Sequence, residues 1–227
     1  MLRAVIFDFN GIIVDDEPIH FELFQRVLKE EDINLTEADY YARYLGCDDR
    51  GAFTTAYREH GRALSDSKLA QLIERKAAYY REEIKSKIRV FPGIQTLVPT
   101  LAKKLPLAIA SGALRHEIEI ILSSIGLLAN FRAIVSAEDV TRGKPEPGIF
   151  LKALAQLNAV LSSDHPISPA ECLVIEDSKE GIRGARHAGM KCLAVTNSHP
   201  AELLDEADSI INSLEGITQK QLEAICS

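Results

Sequence analysis

Four apolar residues in a row, Ala4, Val5, Ile6 and Phe7, end abruptly in the carboxylate of Asp8. A strand that is apolar throughout has to be buried on both faces, which means the interior of a parallel sheet covered by helices. The pattern returns further along the chain. Residues 107–110 form an apolar run that ends in Ser111-Gly112, and residues 172–175 form one that ends in Glu176-Asp177. Shorter or less acidic runs lie at 133–136 and 191–195, with a weaker one at 209–211. Helical spacing separates them at 94–104, 115–125, 148–157 and 179–188, and a last helix follows. Strands alternating with helices predict a parallel sheet joined by right-handed crossovers.

One long stretch breaks the alternation. After the first strand, Pro18 suits an opening helical turn, and Ile19, Phe21, Phe24, Val27 and Leu28 recur at helical spacing. Thr36 is a candidate cap for a segment through Leu45, residues 50–60 form a second helix, and Ser65 starts a third through Ile84. Val90-Phe91-Pro92-Gly93 then interrupts the pattern. The expected architecture is therefore an α/β, Rossmann-like parallel-sheet core over 1–14 and 91–227, with an all-helical cap domain inserted at 15–90. No internal repeat or low-complexity segment is evident.

A net charge of −7 argues against nucleic acid or an anionic membrane as the main partner. The opening residues lack a signal-peptide pattern, and no apolar run reaches spanning length, so a cytoplasmic monomer is expected. Cys47, Cys172, Cys192 and Cys226 have no metal-ligand spacing, and Cys172 and Cys192 read as core thiols.

In a parallel sheet the strand ends share one edge, where ligands bind. That edge would gather Asp8, Ser111, Glu176 and Asp177, with Lys144 from the Gly143-Lys144-Pro145 loop. Carboxylates with a backbone carbonyl suit Mg²⁺, which prefers a few carboxylates plus water and substrate phosphate. Lys144 adds a point charge, while Ser111 and the following amides, beginning at Gly112, add donors. These are the parts that phosphoryl transfer requires. Each also has an ordinary reading: Asp8 and Ser111-Gly112 as turns, Lys144 as a solvated loop residue, Glu176-Asp177 as a helix cap. Gly181, Gly184 and Gly189 read as glycines inside a helix that pack closely on a strand, not as a dinucleotide loop. Only the joint occurrence, in this order, is specific.

In those four motifs, Asp8-Phe9-Asn10-Gly11, Ser111-Gly112, Lys144-Pro145 and Glu176-Asp177-Ser178, the chain resembles the haloacid dehalogenase-like hydrolase superfamily. The resemblance is to the helical-cap branch that holds β-phosphoglucomutase and phosphoglycolate phosphatase, and it spans nearly the whole chain. It implies that Asp8 is a nucleophile forming an aspartyl phosphate. It also implies that Asp8, Asp177 and the Asn10 carbonyl hold Mg²⁺, with Glu176 in support directly or through water. Ser111 and Lys144 would then bind the phosphoryl group of a small phosphorylated metabolite.

The chain departs from the pattern at Asn10, where the family's phosphatases and mutases have a second Asp as acid–base. An amide neither gives up nor retakes a proton at ordinary pH. Four accounts compete: a native Asn in a slow enzyme or one with another proton donor, an engineered trap, a phospho-ligand binder without turnover, and partial deamidation at Asn-Gly. In the cap, the resemblance points to His20 as a substrate contact, with an ordinary polar helix residue as the alternative. Arg50 and Lys76 could meet a distal phosphate or carboxylate, or Lys76 could be a solvated helix residue. The mutase's cap lysine is Leu45 here, which favours a phosphatase over a mutase.

Overall fold

The computed structural model describes residues 1–44, 47 and 49–226, and the side chains of all of these except 85 and 86. The chain opens with β1 (Ala4–Phe7) and a short β2 (Val14–Asp15). Helices α1 (Glu17–Lys29), α2 (Glu37–Arg43), α3 (Asp49–Glu59) and α4 (Asp66–Lys87) follow. Then come β3 (Arg89–Val90), α5 (Ile94–Ala102), β4 (Leu107–Ala110), α6 (Arg115–Ser124) and β5 (Ala133–Val135). The chain continues through α7 (Gly148–Leu161), β6 (Cys172–Glu176), α8 (Lys179–His187), β7 (Lys191–Val195), β8 (Ser209–Ile211) and α9 (Gln219–Ile225).

Among the described residues, β5-β4-β1-β6-β7-β8 form one six-stranded sheet whose neighbours are all parallel. From β1 the chain builds outward on one side through β4 and β5, then returns to build β6, β7 and β8 on the other. The ends of β1, β4 and β6 therefore flank the switch point, where α/β sheets bind ligands. Every residue of β1 is buried, with alternate side chains serving opposite faces. Ala4 and Ile6 join Phe150, Leu154 and Ile182 of α7 and α8 in one cluster. Phe7 takes the other face and meets the edge of the Phe131 ring at 5.9 Å. The small Ala108 and Ala110 of β4 belong to the cluster that also buries Phe150, whose complete burial is worth roughly 1.5–3 kcal/mol.

The chain divides into two compact units, Met1–Asp15 with Arg89–Ser227 and Asp16–Ile88. The helical unit has its own core, in which Phe24, Val27, Leu28, Tyr40, Phe53 and Leu72 are buried together. Thr36 caps α2 by accepting the Asp39 amide at 3.1 Å, and Ser65 caps α4 by accepting that of Lys68 at 3.2 Å. The segment expected from Thr36 through Leu45 ends as helix at Arg43, and Leu45 itself lies outside the described residues. The break at 90–93 contains an element not expected from the sequence. Val14 pairs with Val90 and Asp15 with Arg89 in an antiparallel ribbon within the sheet-bearing unit. Gly189 lies beyond the end of α8 with φ +74°, so it serves as a helix stop and not as a packing residue inside the helix. No described helix is long and apolar enough to cross a membrane.

Candidate active site

Asp8 follows the last residue of β1, and its amide donates to the Ile175 carbonyl of β6 at 2.9 Å, so the ladder itself sets where the carboxylate stands. Phe9 then carries the chain round: its carbonyl accepts from Ile13 at 2.8 Å, and the Gly11 amide donates to Val14 at 2.9 Å. Gly11 has φ +78°, a conformation open to glycine at little cost. A Cβ there would also collide with the carboxylate of Asp177.

Lys144 joins the two sides. Its ammonium lies 2.5 Å from both Asp8 Oδ1 and Glu176 Oε1, with the side chain only 13% exposed. The other oxygen of Glu176, Oε2, accepts from the Asp177 amide at 2.9 Å and from the Ser178 amide and hydroxyl at 3.0 and 2.9 Å. Glu176 is thus committed to protein donors and fully buried. These bonds tie it to Lys144 and to the start of α8. Gly181 makes this possible, since a Cβ there would occupy the Glu176 carboxylate.

Asp8, Glu176 and Asp177 each bring a ligand oxygen within 4.8 Å of the others, and all three are buried. Three carboxylates against one ammonium leave an excess of negative charge in a desolvated place. Burial therefore pushes the Asp8 carboxyl up to about 7, with Lys144 opposing and Glu176 adding to the rise. Asp177 is also raised, first by burial and then by the charges of Glu176 and Asp8. Such a donor set can hold a hard divalent cation, whose charge would return both carboxylates to their ionised form.

The remaining expected residues fall into two groups. Ser111 is buried at the end of β4, where its hydroxyl accepts the Ala113 amide at 3.1 Å, and the exposed Gly112 has open space around its Cα. Asn10 forms a backbone bridge with Val14. His20, Arg50 and Lys76 belong to the helical unit. Lys76 is buried, contrary to a solvated helix residue, with its ammonium 2.6 Å from Asp49 Oδ1, 2.9 Å from His20 Nδ1 and 4.1 Å from the centre of the Phe24 ring. His20 Nε2 lies 3.1 Å from Asp16 Oδ2, and its ring stacks on Tyr80 at 5.1 Å. Because a lysine ammonium only donates, Nδ1 of His20 is the acceptor and Nε2 carries the proton given to Asp16. Arg50 lies exposed on α3.

The sequence reading passed over residues 197–199. Asn197 Nδ2 donates to the Gly11 carbonyl at 2.6 Å, the Ser198 hydroxyl donates to Asp177 Oδ2, and His199 Nδ1 contacts the Asp177 carbonyl at 3.1 Å. The available signal was position: these polar residues follow β7 on the edge that carries Asp8 and Glu176. Asp16, Asp49 and Tyr80 were passed over likewise.

A family model for the haloacid dehalogenase-like hydrolases matches residues 5–195. The phosphorylated carbohydrates phosphatase of Thermotoga maritima is 30% identical over 193 residues, which span 84% of this chain and 83% of that protein. The β-phosphoglucomutase of Bacillus subtilis is 28% identical over 227 residues, spanning 97% and 94%. The crystal structure of β-phosphoglucomutase from Clostridium difficile superimposes with a TM-score of 0.81 at 21% identity, covering 100% of this chain and 97% of that one, which shows a shared fold.

Proposed function

Since the chain belongs to the haloacid dehalogenase-like hydrolases, we propose that it hydrolyses a phosphate monoester of a small carbohydrate, assisted by Mg²⁺. The observation that carries this reading is the convergence of the buried Asp8 and Asp177 with the largely covered Lys144 at the switch point of the sheet. Asp8 is the nucleophile. Its carboxylate attacks phosphorus and the P–O ester bond breaks, the leaving oxygen taking its proton from water because Asn10 cannot supply one; a second water then hydrolyses the acyl phosphate to inorganic phosphate and regenerates the Asp8 carboxylate, so one difficult displacement becomes two easier ones. Lys144 and Ser111 bind phosphoryl oxygens. Asp8, Asp177 and the Asn10 carbonyl would hold the cation, with Glu176 in support directly or through water while it keeps Lys144 in place. When bound, Mg²⁺ would supply positive charge to the phosphoryl oxygens and relieve the repulsion that otherwise opposes ionised Asp8 next to Asp177. The carbohydrate class is supported by the name of the Thermotoga relative. Substrate choice by the cap rests on His20, Arg50 and Lys76, the lysine acting with Asp49 beside it.

A second reading, a sugar phosphomutase, is favoured by the near-complete overlap with the Bacillus β-phosphoglucomutase. Leu45 in place of the mutase's lysine weighs against it. Phosphate release from a panel of sugar phosphates, compared with isomerisation primed by a bisphosphate, separates the two. Asp177→Ala should abolish calorimetric Mg²⁺ binding and phosphate release together. No release from any sugar or acyl phosphate with Mg²⁺ present would leave a phospho-ligand binder.

A further inference from the structure

Three successive residues after β7 each send one hydrogen bond to the two acidic motif segments, although none belongs to the four recognised motifs. Asn197 holds the Gly11 carbonyl at 2.6 Å, and His199 Nδ1 donates to the Asp177 carbonyl at 3.1 Å. Between these anchors, the Ser198 hydroxyl donates to Asp177 Oδ2. The fit is close. A Cβ on Gly11 would lie 2.9 Å from Ser198 Oγ and would overlap the Asp177 carboxylate. Gly11, Asp177 and Ser198 therefore meet at one point, with the serine fixed from both sides.

We propose that Ser198 is a positioning residue for the cation: it commits Oδ2 of Asp177 and so presents Oδ1 to the metal. The inference rests on the proposed Mg²⁺ site. A carboxylate bound through one oxygen still has a second to satisfy, and an outer hydroxyl that takes it fixes the rotation of the carboxyl group. Without that bond, the buried Asp177 carboxyl turns under repulsion from Asp8 and Glu176, whose oxygens lie within 4.8 Å of its own. Ser198 itself is exposed, so removing one oxygen there leaves the fold intact.

Ser198→Ala and Ser198→Thr, each compared with the parent protein, provide the test. Isothermal titration calorimetry with Mg²⁺, and the electron paramagnetic resonance signal of bound Mn²⁺, read affinity without turnover. Ser198→Ala should bind each ion 10–100-fold more weakly, the loss typical for an outer partner of a metal ligand. Its Tm in chelator should match the parent's, and its phosphate release should return at saturating Mg²⁺. Ser198→Thr keeps the hydroxyl and should keep the affinity. Equal affinities in the parent and Ser198→Ala overturn the positioning role while sparing the metal site, as does a defect in turnover that saturating Mg²⁺ does not restore. A parent protein that binds neither ion overturns the metal site itself, and this inference with it.

Discussion

Replacing Lys144 by methionine asks whether charge balance, as distinct from packing, holds the strand ends together. Methionine retains much of the aliphatic stem beside Phe150, whose ring centre is 5.3 Å from the ammonium, and removes the charge. That ammonium is 2.5 Å from each of two buried carboxylates, Asp8 and Glu176. Removing one partner of a buried ion pair typically costs roughly 3–5 kcal/mol, because the other charge is left uncompensated. Here two carboxylates lose the same partner, so the upper part of that range is expected once Asp8 is ionised. The dependence on pH is the sharper test. Burial already raises Asp8 to about 7, and Lys144 is the chief influence opposing the rise. The variant lacks that opposition, so its folded-state value lies higher still. A carboxyl raised on folding favours the fold while protonated; its cost begins above the unfolded value and is complete only above the folded one. The loss of stability should therefore be largest near pH 9 and fall to about half or less near pH 5, where Asp8 is protonated in both proteins. Urea unfolding in chelator at pH 5, 7 and 9 measures it. A loss that does not vary with pH would refute the charge argument and assign the effect to packing.

Two further outcomes are expected. Where attack on phosphorus is the slow step, Asn10→Asp should raise turnover of alkyl phosphates by about 10²–10⁴-fold, the range of acid–base catalysis, and that of acyl phosphates far less, because an acyl phosphate leaves without protonation; where hydrolysis of the aspartyl phosphate is slow, both should rise together; steady-state and burst kinetics on both substrates tell these apart, and unchanged rates and bursts would exclude residue 10 as the missing acid–base. Gly181→Ala should cost roughly 3 kcal/mol by denaturant unfolding, because its Cβ would displace a carboxylate bound to charged and backbone donors, whereas Gly148→Ala, with nothing within 4 Å of its Cβ, should be near neutral.

The strand ends were legible because each one joins two independent signals, a wholly apolar run and a charged or hydroxyl residue directly after it. Asp8, Ser111 and Glu176-Asp177 stand out for this reason, and the order of the motifs supplied Lys144. The loop at 197–199 also follows an apolar run, at 191–195, but brings no carboxylate or lysine, so nothing in it marked a part of the site. Its contacts depend on the register that sets Glu176 beside Ala194, which no local pattern encodes. Val14–Asp15 and Arg89–Val90 are too short for a two-residue period to register. The burial of Lys76 was hidden for a related reason: its partner Asp49 sits on another helix, so charge complementarity spans elements that the sequence lists separately. Helix α7 runs to Leu161, past its last fully buried residue, Leu157: the part-buried Asn158 is tied to Ile167 by two hydrogen bonds, and the exposed residues 159–161 add nothing to the buried stripe before Ser162 turns left-handed.

The pairing of β1 also sets the order in which the chain can assemble. β1 has partners on both sides, Val5 beside Leu107 in β4 and Ala4 beside Cys172 in β6. At synthesis rates of about 5–20 residues per second, its second partner emerges roughly ten to thirty seconds after it. Residues 16–88, by contrast, make a compact unit from neighbours in sequence and can close as soon as they emerge. The strand that leads into Asp8 therefore waits, apolar and unpaired on both edges while the inserted domain folds, and on one edge from the arrival of β4 until β6 emerges. Cellular yield should depend on shielding that strand during the interval, so a chaperone that holds extended apolar segments would affect this protein before its active site exists.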